Sequence, residues 1–228
     1  MKILTIVTGT DRYKGGKLKT GLWLSEITHI YDLAVKRGYE ITIASPQGGK
    51  TPVDPESLRP LMLDKISKTY WEDQSFREQL RNTKSLEEIN PEQFDCIYLA
   101  GGHGTMYDFP ENTTLQRIIA THFESGKIVA AICHGVCGLL NVRLSDNNNI
   151  LEDRNITGFS WFEEILARRN SDVPFNLESA LKQRGSYYKK AFLPMTSKVM
   201  VDGNLITGQN PFSSKETAKV VCDRLSKL

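Results

Sequence analysis

A cysteine and a histidine stand side by side at positions 133 and 134, after the apolar run Ile128 to Ile132 and before Gly135. A short apolar run bounded by turn residues reads as a buried strand of a parallel sheet. A side chain between such a strand and a following helix sits on a sharp turn at the carboxyl edge of the sheet. Free N–H groups of the helix start favour an anion there. For cysteine the anion is the thiolate, its nucleophilic form. The spacing therefore predicts Cys133 as an ionised nucleophile. His134 becomes an acid or base oriented by a carboxylate elsewhere in the chain. Glu163 and Glu164, which follow Gly158-Phe159-Ser160, are candidates for that carboxylate. Their spacing fits a solvated helix start equally well.

Glu26 is the second chemical clue. With Leu22, Ile30 and Leu33 it shares one face of a helical stretch. An acid on an apolar stripe loses its water, and its pKa should rise. A protonated carboxyl near sulfur can donate a hydrogen bond or shuttle a proton. Gly101-Gly102-His103-Gly104 follows a strand, where glycines let backbone N–H groups come close to a reacting oxygen. It is not a dinucleotide fingerprint. Ala44 to Thr51, ASPQGGKT, ends in Gly-Lys-Thr after a strand, but has Ala where a phosphate loop needs Gly. Pro52 and Pro55 follow in place of a helix, so no nucleotide loop is expected.

Alternating strands and helices must position these groups. Strands are predicted at Ile3 to Thr8, Glu40 to Ala44, Phe94 to Ala100 and Ile128 to Ile132. Helices are predicted at Leu22 to Lys36, which stops at Gly38, and at Thr113 to Ser125, which stops at Gly126. Residues 50–90 are polar and proline-interrupted. They read as an insertion over one face of a single 228-residue domain, with a helix at Trp71 to Arg81. Beyond the Cys133 turn come a turn cluster at Asp146 to Asn149, read as part of a hairpin, and a short strand ending at Ile156-Thr157-Gly158. Helices at Phe162 to Arg169 and Leu177 to Arg184 come next. Asp202-Gly203-Asn204 marks a hairpin within Val199 to Thr207, and a last helix begins near Pro211. The pattern argues an α/β fold with a mostly parallel sheet.

Composition narrows the class. Lys and Arg number 29 against 27 Asp and Glu, interspersed, for a formal charge of +2. No basic stripe points to nucleic acid, and no apolar stretch approaches membrane-spanning length. The opening run stops at Gly9, too short for a signal sequence, so a cytoplasmic protein is expected. The four cysteines, 96, 133, 137 and 222, match no disulfide scaffold. Cys133, His134 and Cys137 lack the second cluster a structural metal needs. Cys96 and Cys222 read as core residues.

Taken together, TGLWLSEITHIYDLAVKRGYEITIASPQGG, YLAGGHGTMYDFP, VAAICHGVCGLL, NITGFSWFEEIL and GNLITGQNP resemble the ThiJ/PfpI (DJ-1/PfpI) superfamily, and more narrowly its glyoxalase III and stress-chaperone branch. The resemblance implies a flavodoxin-like three-layer sandwich with helices on both faces, related to class I glutamine amidotransferase domains. It assigns the nucleophile to Cys133, the adjacent histidine to His134 and the elbow-facing acid to Glu26. It places the orienting acid at Glu164, with Glu163 the near alternative. The oxyanion hole falls to the backbone N–H groups of Gly102 and His134. The implied activity is a cofactor-free, glutathione-independent conversion of methylglyoxal to lactate, in a cytoplasmic homodimer acting on a small dicarbonyl. The same sulfur suits two other readings: a cysteine hydrolase or deglycase, and a non-enzymatic holdase or redox sensor whose Cys133 oxidises readily. The chain departs from the family pattern at Val136-Cys137 and Trp161-Phe162. Cys137 lies one helical turn from Cys133, the spacing of a resolving thiol, although an inert helix residue is the favoured reading.

Overall fold

The computed structural model describes residues 1–228. In chain order the elements are β1 (Lys2–Ile6), α1 (Leu24–Lys36), β2 (Glu40–Ser45), β3 (Gln47–Gly49), α2 (Lys65–Glu72), α3 (Gln74–Arg81), β4 (Thr83–Ser85), β5 (Cys96–Leu99), α4 (Thr105–Asp108), α5 (Thr113–Glu124) and β6 (Ile128–Ile132). After β6 come β7 (Asn155–Ile156), α6 (Trp161–Leu166), α7 (Leu177–Gln183), β8 (Tyr187–Tyr188), β9 (Val199–Asp202), β10 (Leu205–Gly208) and α8 (Ser214–Leu225).

Eight strands form one sheet in the order β3-β4-β2-β1-β5-β6-β10-β9. The interior pairs are all parallel; only β3 on β4 and β9 on β10 run antiparallel, at the two edges. Every residue of β5 and β6 is buried, as strands covered on both faces require. The chain steps from β1 to β2 in one direction and from β5 to β6 in the other. Right-handed crossovers therefore put α1 and α5 on opposite faces. The order reverses between β1 and β5, and the crevice outside the carboxyl ends of such strands is where α/β sheets hold ligands. The turns after β1, β5 and β6 all open there.

Several local expectations are revised. The helix predicted from Leu22 starts at Leu24, because Leu22 is extended and exchanges backbone bonds with Pro52 and Asp54 (2.8 and 2.9 Å). The stretch 50–90 does more than cover a face, since its β4 joins the sheet beside β2. The helix predicted over Trp71 to Arg81 is two helices. Asp73 ends α2 and caps α3 by accepting the N–H groups of Ser75 and Phe76 at 2.7 and 3.2 Å. An aspartate's carboxylate competes for backbone N–H groups in this way and breaks a helix where it caps. Asp146 to Asn149 forms a turn with a single bridge, Arg143 to Asn149, in place of a hairpin ladder. The strand at Ile156 pairs only with β8, outside the main sheet. No helix is long and apolar enough to cross a membrane.

Candidate active site

The turn after β6 carries Cys133 with φ of 56°, in the left-handed region, a conformation that costs a non-glycine residue about 1 kcal/mol or more. From there the chain winds into a 3-10 turn, Cys133–Leu139. The sulfur is almost wholly buried, yet it reaches the wall of a cavity of about 560 Å³ that His103, His134, Tyr13 and Phe159 also line.

Glu26 lies beneath the sulfur, in the first turn of α1 and fully buried. Its Oε2 accepts the Gly101 N–H at 2.7 Å. Oε1 has no conventional partner, and the group facing the carboxyl is the Cys133 thiol. Burial pushes Glu26 up to about 8, against smaller opposing pulls from Cys133 and the Gly101 N–H. A helix N-terminus favours a carboxylate by only about 0.3–1 kcal/mol, so desolvation wins. Gly101 has no side chain for a direct reason. A Cβ there would sit 2.6 Å from Glu26 Oε2 and 2.7 Å from the Ile132 carbonyl.

The expected resting thiolate is corrected by the same physics. Burial first, and the nearby Glu26 second, push Cys133 well above the usual thiol value, although the His134 backbone N–H opposes them. A short 3-10 turn supplies too little field to offset that loss of water. The resting sulfur is therefore a thiol beside an uncharged carboxyl.

His134 meets the sulfur. Its Nδ1 is 3.3 Å from Cys133 Sγ and its Nε2 is 2.8 Å from Glu164 Oε2. Burial, then the charge of neighbouring His103, pull His134 down to about 4. Burial pushes Glu164 up, but the charge and hydrogen bonds of His134 and His103 outweigh it and hold Glu164 well below the usual range. A neutral His134 donating Nε2–H to an ionised Glu164 leaves Nδ1 as an acceptor aimed at the thiol.

The two candidate acids separate cleanly. Glu163 closes a capping box with Ser160, whose N–H and hydroxyl donate to Oε2 at 3.0 and 2.8 Å. It also accepts from Gln209 and Asn210 at 2.9 and 2.7 Å. Glu163 therefore ties α6 to the segment after β10, and Glu164 alone meets the histidine.

Sequence reasoning missed His103. Its Nε2 lies 2.8 Å from Glu164 Oε1, so one carboxylate bridges two imidazoles. The rings lie 4.0 Å apart, and Tyr13 covers His103 from the other side at 5.3 Å. A signal exists in the chain: a histidine flanked by glycines in the turn after a strand, much as His134 precedes Gly135 in the turn after β6. The coordinating atoms of His103, His134 and Glu164 lie within 4.8 Å of one another, enough to offer a cation two nitrogens and an oxygen. Each nitrogen already bonds to the carboxylate, so a cation would have to displace both contacts.

Gly102 has φ of 106°, and a Cβ on it would fall 2.1 Å from the Gly21 carbonyl. Its N–H makes no bond within the chain, but Gly102 is not part of the cavity wall. These glycines are thus required first for close packing of the chain against itself, a demand that the expectation of ligand approach did not include. Cys137 is fully buried, donates to the Thr105 carbonyl at 3.3 Å and is held as a thiol by burial.

Among known families, the model of the DJ-1/PfpI family matches residues 18–223. The chain belongs to the DJ-1/PfpI family. "Glyoxalase 3" of Candida albicans is 30% identical over 230 residues, which span 97% of each protein. Among solved structures, Rapid Encystment Protein 24 KDa of Francisella tularensis superposes with a TM-score of 0.93 at 36% identity, covering 98% of both chains. Glyoxalase III of Candida albicans superposes at 0.88 with 28% identity, covering 98% of this chain and 96% of that one.

Proposed function

We propose that this member of the DJ-1/PfpI family is a glutathione-independent glyoxalase that converts a small 2-oxoaldehyde such as methylglyoxal to its 2-hydroxy acid. One observation carries the reading: Cys133 Sγ stands between a neutral histidine base at 3.3 Å and a buried carboxyl whose pKa is about 8. The relatives named as glyoxalases over nearly the whole chain support it.

In this reading the sulfur attacks the aldehyde carbon. As the S–C bond forms, the thiol proton passes to His134 Nδ1 and from there to the former carbonyl oxygen, giving a neutral hemithioacetal. Glu164 stabilises the transient imidazolium. The backbone N–H of His134, which faces the sulfur, serves the developing oxyanion; Gly102, outside the cavity wall, is left to packing. Glu26, in its carboxylate form, takes the proton from C1 and returns it to C2 through an enediol. A carboxylate held in a site that resists its charge is a strong base. The product is a thioester, and water releases the hydroxy acid and restores the thiol. No electron leaves or enters, so the sequence is an internal redox exchange between two carbons.

The test is turnover of methylglyoxal without glutathione, followed by an assay for lactate. Wild-type protein should form lactate and Cys133→Ala should form none; unimpaired lactate formation by that variant would overturn the reading. Hydrolysis of amide substrates without dicarbonyl turnover would favour the hydrolase alternative. Within the same reading the protein acts as a cytoplasmic homodimer, and sedimentation analysis tests the assembly.

A further inference from the structure

A second cavity of about 560 Å³ opens away from Cys133, and its lining includes Lys19, Lys50, Thr51, Trp71, Arg77 and Arg81. The one carboxylate in its wall is Asp11. Lys19, Lys50 and Arg77 make no ion pair, and Arg81 pairs only with Glu78 on its own helix, at 3.4 Å. Gathering four cations around one cavity is unfavourable unless an anion joins them. Two buried groups in the wall are also unmatched: Arg77 Nε and Thr51 Oγ1 have no hydrogen-bond partner. Thr51 is only 4% exposed. Buried polar atoms in native proteins are nearly always paired, so these two, closed off from solvent behind the lining, are left unsatisfied by the chain.

We propose that this cavity binds a small phosphorylated molecule through its phosphate groups. Guanidinium and ammonium groups with a hydroxyl among them match phosphate oxygens. The volume exceeds a single phosphate, and Trp71, Val53 and Leu80 give the rest of the wall an apolar face. The ligand is therefore a phosphate or diphosphate ester with an aromatic or apolar body.

The site uses the Gly-Lys-Thr segment in a way unlike a phosphate loop. Gly48 and Gly49 lie in β3, Pro52 follows Thr51, and no helix begins there. The Thr51 N–H is spent on the Leu80 carbonyl at 2.7 Å, so the backbone offers no anion cradle. Side chains brought together from the loop before α1, the segment just after β3, and α2 and α3 do the binding. The rejection of a nucleotide loop from sequence stands, and a different phosphate site takes its place.

Isothermal titration of the full-length protein with ADP, pyrophosphate and adenosine, at low and at raised salt, tests this. ADP and pyrophosphate should saturate one site, adenosine should not, and raised salt should weaken binding at least about tenfold. Lys50→Gln and Arg77→Gln should each raise the Kd about tenfold or more, the scale of one charged hydrogen bond. Lys50 is exposed, so its variant keeps the test valid if Arg77→Gln unfolds. Absence of saturable binding by both phosphorylated probes overturns the proposal. So does equal binding of adenosine, or an unchanged Kd in Lys50→Gln. The readout is binding, so it is independent of any result with methylglyoxal.

Discussion

Replacing Glu26 by Gln should make the protein more stable and much less active, and the gain in stability should depend on pH. The folded carboxyl titrates at about 8, against an ordinary value of 4.5. A folded pKa above the unfolded one means that the unfolded chain gives up its proton first. Native stability therefore falls as pH rises from about 4.5 to about 8 and levels off beyond. At pH 7 the penalty is about 3 kcal/mol, rising to about 5 at pH 9 and shrinking below about 1 at pH 5. Glutamine carries no such penalty, and its amide oxygen can still accept the Gly101 N–H that Glu26 takes at 2.7 Å. Urea unfolding of both proteins at pH 5, 7 and 9 measures the difference. At neutral pH the variant's Tm should rise by roughly 6–10 °C for a chain of this size. Lactate formation should drop by orders of magnitude, since the C1 proton loses its base. A variant that is less stable at pH 7, or a stability difference that does not grow with pH, would refute the account of the buried acid.

Glu164→Gln leaves an amide that can satisfy only one of the two imidazoles now bonded at 2.8 Å. It should cost about 1–3 kcal/mol in urea unfolding and lower kcat sharply; a variant with full stability and turnover would count against the His–Glu–His arrangement. The native Glu164 carboxylate lies well below the usual range, so the stability it adds holds above about pH 4.5 and fades on acidification. Gly101→Ala drives a methyl group to 2.6 Å from Glu26 Oε2. It should destabilise by about 2 kcal/mol or more and reduce turnover, both readable from melting and lactate assays. Cys137→Ala should retain turnover within about twofold and lose about 1 kcal/mol of stability from the small void. Mass spectrometry after mild peroxide should find no Cys133–Cys137 disulfide in the native protein.

The buried strands are plain in the sequence because burial on both faces writes unbroken apolar runs, as in Ile128 to Ile132. Glu26 is legible for the converse reason, an acid where a helix face is otherwise apolar. Sequence alone cannot choose between Glu163 and Glu164. Their difference arises from Ser160 capping α6, which turns the first acid toward the capping box and the second toward His134. His103 escapes notice because its partner lies 61 residues away, beyond what local spacing can show. The thiolate is misjudged because a helix-terminus argument needs no knowledge of burial, whereas the sulfur's ionisation is governed by it. β4 is missed because three residues, Thr83 to Ser85, are too few to show a period.

The backbone at Cys133, turned to a φ of 56°, has a consequence for anyone redesigning the chain. Glycine would relieve that torsion by about 1–2 kcal/mol, a gain that a search guided by backbone ease alone would reward. The side chain that such a search would discard for durability is the one on which the chemistry depends. Optimising this loop for robustness and optimising it for reactivity are opposed goals, decided at a single torsion.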